Sequence, residues 1–141
     1  MIIFPEIKLK PLFATIFQGA LNKSSMEIHF APFTVEEQFE DETFSHDFHE
    51  PIRADFIQFP SVNVLELQGK AFNFPLNPEE GYIDASVYFM NRHNPVDITK
   101  IAFDTLSQNH VSMTINTRWL MSLEGTATND FNYNFTVPIR F

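Results

Sequence analysis

The sequence predicts a mainly β domain: an antiparallel β-sandwich or meander sheet with one or two short helices in its N-terminal half. Three observations carry that expectation. From residue 111 the odd positions read Val111, Met113, Ile115, Thr117, Trp119, Met121 and Leu123, while Ser112, Thr114, Asn116, Arg118, Ser122 and Glu124 fall between them. A period of two sets the first group on one side of a pleated strand, whereas a helix would scatter it around its axis. The same parity returns in Phe131, Tyr133, Phe135, Val137, Ile139 and Phe141, interleaved with Asn132, Asn134, Thr136, Pro138 and Arg140. Between the two runs lie Gly125, Thr126, Ala127, Thr128, Asn129 and Asp130, a turn-forming composition that makes the runs the arms of an antiparallel hairpin.

In chain order, Ile7 and Leu9 alternate with Glu6, Lys8 and Lys10, an extended start. Leu12, Phe13, Ile16, Phe17, Ala20 and Leu21 are spaced as on a helix behind Pro11, but Gly19 and the β-branched Thr15 and Ile16 disfavour one, so the segment reads as strand. Met26, Ile28 and Phe30 alternate with Glu27 and His29 as a second strand. At residue 34 the pattern changes. Thr34 and Glu37 match a capping box and Val35 and Phe39 lie four apart, which predicts a short helix over 35–42, with Pro51 barring any continuation past His49. Residues 62–74 read as strand, with Leu65 and Leu67 on one parity and Phe72 and Phe74 on the other, so a bulge or bend is expected at Gly69. Ile83, Ala85, Val87 and Phe89 open a run of four consecutive strands, Ile101 and Phe103 belong to the next, and residues 107–110 turn the chain into the C-terminal hairpin. One side of such a sheet faces a core and the other faces water. Pro138 cannot donate a ladder hydrogen bond, so it marks an edge strand or a bulge.

At 141 residues the chain reads as a single domain, 1–141, since each half alone would bury too little surface. Its 17 Phe residues predict an aromatic core. With no Cys, disulfides, thiol nucleophiles and Cys-ligated metals are excluded by inventory. The apolar run over 12–17 is short and broken by Thr15, so no secretory signal is read there, and no stretch approaches the roughly 20 apolar residues that cross a bilayer. The expected location is the cytoplasm. A formal charge of -9 opposes binding to nucleic acid or anionic membrane, because both need Lys or Arg against phosphate. Its complement is a basic protein.

The most distinctive chemistry lies in residues 34–51, which hold Glu36, Glu37, Glu40, Asp41, Glu42, Asp47 and Glu50, with no Lys or Arg anywhere between Lys23 and Arg53. At about 0.15 M salt charges interact over about 8 Å, so carboxylates this closely spaced act as one field that attracts a basic partner. The competing reading is a solvated surface that confers solubility. Phe39, Phe44 and Phe48 separate the two: all three buried would make the segment a structural cover, whereas any exposed among the acids is a candidate binding hot spot. On this basis the seven acids are the expected partner-binding residues of a non-enzymatic protein-binding domain. Small acidic cytoplasmic immunity proteins that neutralise basic bacterial nuclease toxins share this charge and size, and the likeness extends to no motif.

Other constellations are weaker. His46, Asp47, His49 and Glu50 offer imidazole and carboxylate, but helical zinc pairs place His four apart and these are three apart, so no metal site is assigned. His93 and Asp97, within the loop expected over 90–97, could act as base and orienter, yet Asn94 and Pro95 already account for a turn and no nucleophile elbow is present, so no catalytic residue is assigned. Asp84 and Asp104 are the candidates for paired carboxylates and sit where polar residues are expected anyway. The four Gly residues match no phosphate-binding loop, and no cofactor is implied. A sandwich or barrel enclosing an apolar small ligand is the alternative that the Phe content suggests.

Overall fold

In the computed structural model, which describes residues 2–141, ten strands follow in order: β1 (Pro11–Gln18), β2 (Ser24–Phe30), β3 (Phe33–Phe39), β4 (Glu42–Phe48), β5 (Ile52–Ile57), β6 (Ala71–Asn73), β7 (Asp84–Phe89), β8 (Arg92–Phe103), β9 (Val111–Trp119) and β10 (Phe131–Arg140). Hydrogen bonds link them in the order β8-β7-β5-β2-β1-β10-β9, and β9 returns to β8, so seven strands close into a barrel. All contacts in the ring are antiparallel except one, the short parallel pairing of Ala14 with Ile139 and Thr15 with Arg140.

The mainly β expectation holds, but the architecture is neither a sandwich nor an open meander sheet. The consecutive pairings β7 to β10 exist as expected, yet they curl until β8 meets β9 and β10 meets β1, and closure leaves no exposed sheet edge in the ring. The twelve-residue β8 makes this possible. On one edge its first residues pair with β7 and its last with β6, while the other edge pairs with β9. A register shift between Ile98 and Lys100 reverses its parity, so Val96 and Ile98 before it and Ile101 and Phe103 after it all face inward.

No α-helix occurs among the described residues. The N-terminal half holds only 3-10 turns, at Glu6–Lys8, Ala20–Asn22 and Val64–Leu67. The helix expected over 35–42 is instead the hairpin β3–β4, a two-stranded sheet of its own with Phe33 opposite Phe48 and Phe39 opposite Glu42. Its apolar residues alternate with period two, and that period overrides the local capping pattern of Thr34 and Glu37. Residues 62–74 become the turn Val64–Leu67, a bend at Gly69 with φ 72°, and the three-residue β6. Glu6–Lys8 is a turn where an extended start was expected, whereas β1 is a strand as read. The row from Val111 is buried through Met121, but the strand ends at Trp119 and Leu123 is exposed in the following turn. Pro138 is neither at an edge nor at a bulge, since β10 keeps unbroken register with β9 and pairs on its other side with β1 just beyond the proline.

The barrel interior is filled with side chains. Met26, Ile28, Ile52, Ile57, Ile98, Ile101 and Met113 are fully buried along it. Thr117, the polar member of the β9 row, donates to the Tyr133 carbonyl at 2.5 Å and accepts the Trp119 indole N–H at 3.1 Å, so its hydroxyl serves the buried tryptophan. One end is closed by an aromatic plug. Phe4 is held by Asn129, whose Oδ1 accepts its N–H at 2.7 Å and whose Nδ2 donates to its carbonyl at 3.1 Å. Its ring lies 5.5 to 6.0 Å from those of Phe33, Phe48, Phe89, Trp119 and Phe131. The hairpin β3–β4 therefore springs from this plug, its base anchored by Phe33 and Phe48.

Candidate functional site

Six of the seven sequence-selected acids lie on the β3–β4 hairpin. Alternation sorts its side chains into two faces. One carries Phe33, Val35, Glu37 and Phe39 opposite Phe48, His46, Phe44 and Glu42, and the other carries Thr34, Glu36 and Gln38 opposite Asp47, Ser45 and Thr43. Glu40 and Asp41 form the two-residue turn between the strands. Acids thus stand on both faces and at the tip. Glu40 holds φ 57°, a left-handed conformation that L residues adopt at a cost.

Their immediate partners differ. Glu36, Glu40, Asp41, Glu42 and Asp47 are exposed, while Glu37 and Glu50 are half-buried. Glu37 Oε1 lies 3.1 Å from His46 Nε2, and this hydrogen bond holds the Glu37 carboxyl below its usual value. The His46 ring in turn meets Phe89 edge-on. Asp47 accepts from the Thr34 hydroxyl at 3.0 Å. Glu50 lies beyond the hairpin and accepts from Arg53 Nη2 at 3.1 Å, while Arg53 Nη1 reaches Glu27 at 2.9 Å. The barrel wall therefore draws Glu50 into an ion-pair triad, whereas Glu36, Glu40, Asp41, Glu42 and Asp47 have no Lys or Arg in salt-bridge contact among the described residues.

The aromatic residues separate along the hairpin. Phe48 is fully buried at 0% in the plug, whereas Phe39 is 60% and Phe44 42% exposed near the tip. These last two share one face diagonally, with Phe39 opposite Glu42 and Phe44 opposite Glu37. Ile7, Leu21 and Leu123 are at least as exposed elsewhere on the surface, so what sets these two rings apart is their place among carboxylates. At the hairpin base, Pro32, Phe33, Thr34, Asp47 and His49 line an open hollow of about 330 Å³. A second of about 220 Å³ separates β4 from the turn at Met90 and Asn91.

The other constellations do not assemble. His46 and Asp47 project from opposite faces of β4, and no group of three or more His, Asp or Glu able to hold a metal occurs among the described residues. The loop expected over 90–97 is a tight turn at Met90 and Asn91, both with positive φ, followed by strand β8, because Asn94 is needed inside: its Nδ2 donates to the carbonyls of Val87, Phe89 and Arg92. His93 and Asp97 both lie in β8, four residues and so about 13 Å apart. His93 packs on Tyr88, and Asp97 is the cross-strand partner of Arg118, with burial raising its carboxyl above the usual value against the lowering effect of that guanidinium. Asp84 stands opposite Asp55 on the outer surface, and Asp104 lines a separate open hollow with His110 and Pro138.

Sequence reasoning missed that the acids sit on a hairpin, and so missed its two open strand edges. A signal was present. Phe33, Val35 and Phe39 share one parity, and Phe44, His46 and Phe48 share one parity on the far side of Glu40 and Asp41. No Gly or Asn marked the turn, which is why the helical reading competed. No helix among the described residues is long and apolar enough to cross a membrane. Comparison with protein-family models, curated proteins and solved structures finds no match to this chain.

Proposed function

We propose that this chain is a non-enzymatic protein-binding domain that grips a basic partner through the β3–β4 hairpin, as an immunity-type inhibitor of a basic toxin or nuclease would. The observation that carries the reading is the exposure of Phe39 and Phe44 among the acids. Carboxylates alone would serve solubility, but two aromatic rings held open beside them supply the desolvated anchors that interfaces use, with the charges as a steering rim. The barrel supports this use by giving the hairpin a rigid base in the Phe4 plug. The interior is taken up by side chains, which leaves the apolar-ligand alternative without a supporting observation.

The test is kinetic. Against the basic protein that co-purifies with this chain, association slows about tenfold or more between roughly 0.05 and 0.5 M salt. Replacing Glu36, Glu40, Asp41 and Glu42 by Ser slows association at low salt and flattens that dependence. Replacing Phe39 and Phe44 by Ala acts on dissociation instead. At about 200 Å² per Phe, their exposures leave together about 200 Å² to bury, worth roughly 5 kcal/mol gross at 25 cal/mol per Å², so a loss of 100-fold or more in affinity is expected. Association that the four-acid variant leaves unchanged overturns the reading.

A further inference from the structure

The hairpin is a sheet of two strands, so both of its outer edges are open. Phe39 and Glu42 flank a two-residue turn and form the mutually bonded pair that closes it. Alternation makes Glu37 with Phe44, Val35 with His46 and Phe33 with Phe48 the other bonded pairs. Thr34, Glu36 and Gln38 on β3, and Thr43, Ser45 and Asp47 on β4, must then turn their backbone N–H and C=O groups outward. None of these groups has a backbone partner in another element among the described residues. Natural sheets cover or blunt such edges, and here closure removes them from the seven-strand ring, with the three-residue β6 beside β8 as another, shorter edge.

The two edges differ. The β4 edge is fronted by the barrel, where Ser45, His46 and Asp47 share a hollow with Tyr88, Phe89, Met90 and Asn91. Thr34, Glu36 and Gln38 on β3 are exposed, as are Thr43, Ser45 and Asp47 on β4, but no residue of β3 lines that hollow against the barrel. We propose that the outer edge of β3 over residues 34–38 accepts an extended segment of a partner protein as an added strand, one that alternates Lys or Arg with apolar residues. This rests on the protein-binding reading above and specifies its mode. A residue bonded to Glu36 lies directly opposite it and on the same face, where a cation is the complement. Its two neighbours fall on the other face, opposite Val35 and the aliphatic stem of Glu37, with Phe39 the next side chain along that face. Charge selects this occupant over a second copy of the chain, because pairing two β3 edges sets acids from a chain of formal charge -9 against each other.

The experiment uses the intact protein and three capped eight-residue peptides of alternating Lys and Val: one unmodified, one N-methylated at the backbone of each Lys, and one N-methylated at each Val. All carry the same charge. On the β3 edge the Lys amides are those that point at the hairpin, so the unmodified and Val-methylated peptides are expected to bind at low salt with similar affinity and the Lys-methylated one at least tenfold more weakly. Hydrogen exchange at the Thr34, Glu36 and Gln38 amides slows at least tenfold when the first two are bound. In the protein, Glu36→Pro removes an outward N–H and abolishes binding, while Glu36→Gln, which loses the same charge, retains most of it. Equal binding of the two methylated peptides overturns strand addition and leaves the acidic hairpin reading standing. Protection of Thr43, Ser45 and Asp47 instead overturns the choice of edge. Absence of binding by all three peptides overturns both readings, and a dimer of this chain at low salt overturns the choice of occupant.

Discussion

Replacing Phe4 by Ala tests whether the aromatic plug is what holds the hairpin in place. Phe4 is 1% exposed and its ring touches five other aromatic rings, two of which, Phe33 and Phe48, are the hairpin's own anchors. Removing a buried Phe forfeits transfer of about 200 Å² of ring surface, of order 5 kcal/mol at 25 cal/mol per Å², less what the alanine methyl and the relaxing walls recover. Measured losses for such truncations run about 3–5 kcal/mol, so about 4 kcal/mol is expected, a large fraction of the roughly 5–15 kcal/mol that holds a domain of this size together. The melting temperature then falls by roughly 12–16 °C. Trp119 is the single tryptophan and its ring centroid lies 5.8 Å from that of Phe4, so urea unfolding followed by its emission reads the loss directly. The same variant should speed amide exchange at Phe33 and Phe48 relative to β9, because the cavity opens beneath the hairpin and not along the barrel wall. A loss under about 1 kcal/mol with unshifted Trp119 emission would refute the plug as described.

Two further outcomes follow from named contacts. Asn94 is fully buried and spends its amide on three carbonyls, while its Oδ1 accepts from buried Thr126 at 2.5 Å. Asn94→Ala should cost about 2–4 kcal/mol by urea melts, and a double-mutant cycle with Thr126→Val should return a coupling of about 1 kcal/mol or more; additive effects would deny that the pair is bonded. The Glu37 carboxyl is lowered by its His46 hydrogen bond, so this contact adds stability above the unfolded carboxylate value, and that stability drains away as pH falls through the lowered folded value. His46→Ala should move the Glu37 titration upward in a carbon-detected pH series, and an unmoved midpoint would assign the lowering to something else.

How much of this was legible in the residues varies along the chain. The rows of β9 and β10 declare themselves because the inward positions are large and apolar except at Thr117 and Tyr133, and the outward ones are polar except at Pro138, a pattern that depends only on the two-residue pleat. Glu36, Glu40 and Asp41 were equally visible as a charged run without a local cation. Their setting was not. Thr34 and Glu37 satisfy a helix-capping pattern through local chemistry, and the hairpin wins because Phe33 and Phe48 pack against Phe4, a residue about thirty positions away in sequence or more. The loop expected over 90–97 failed for a like reason. Asn94 reads as a turn residue until its amide is seen closing three carbonyls inside the barrel.

By itself the sequence determined the strand periodicity, the aromatic interior and the concentration of negative charge, since each follows from side-chain size, polarity and ionisation in a pleated chain. Only the tertiary structure decided that the sheet closes, that the charged segment is a protruding hairpin, and that Phe48 turns inward while Phe39 and Phe44 stay out. Those outcomes depend on which distant residues meet. The parallel contact of Ala14 with Ile139 and the docking of Phe4 under Phe33 join parts of the chain that no local pattern relates.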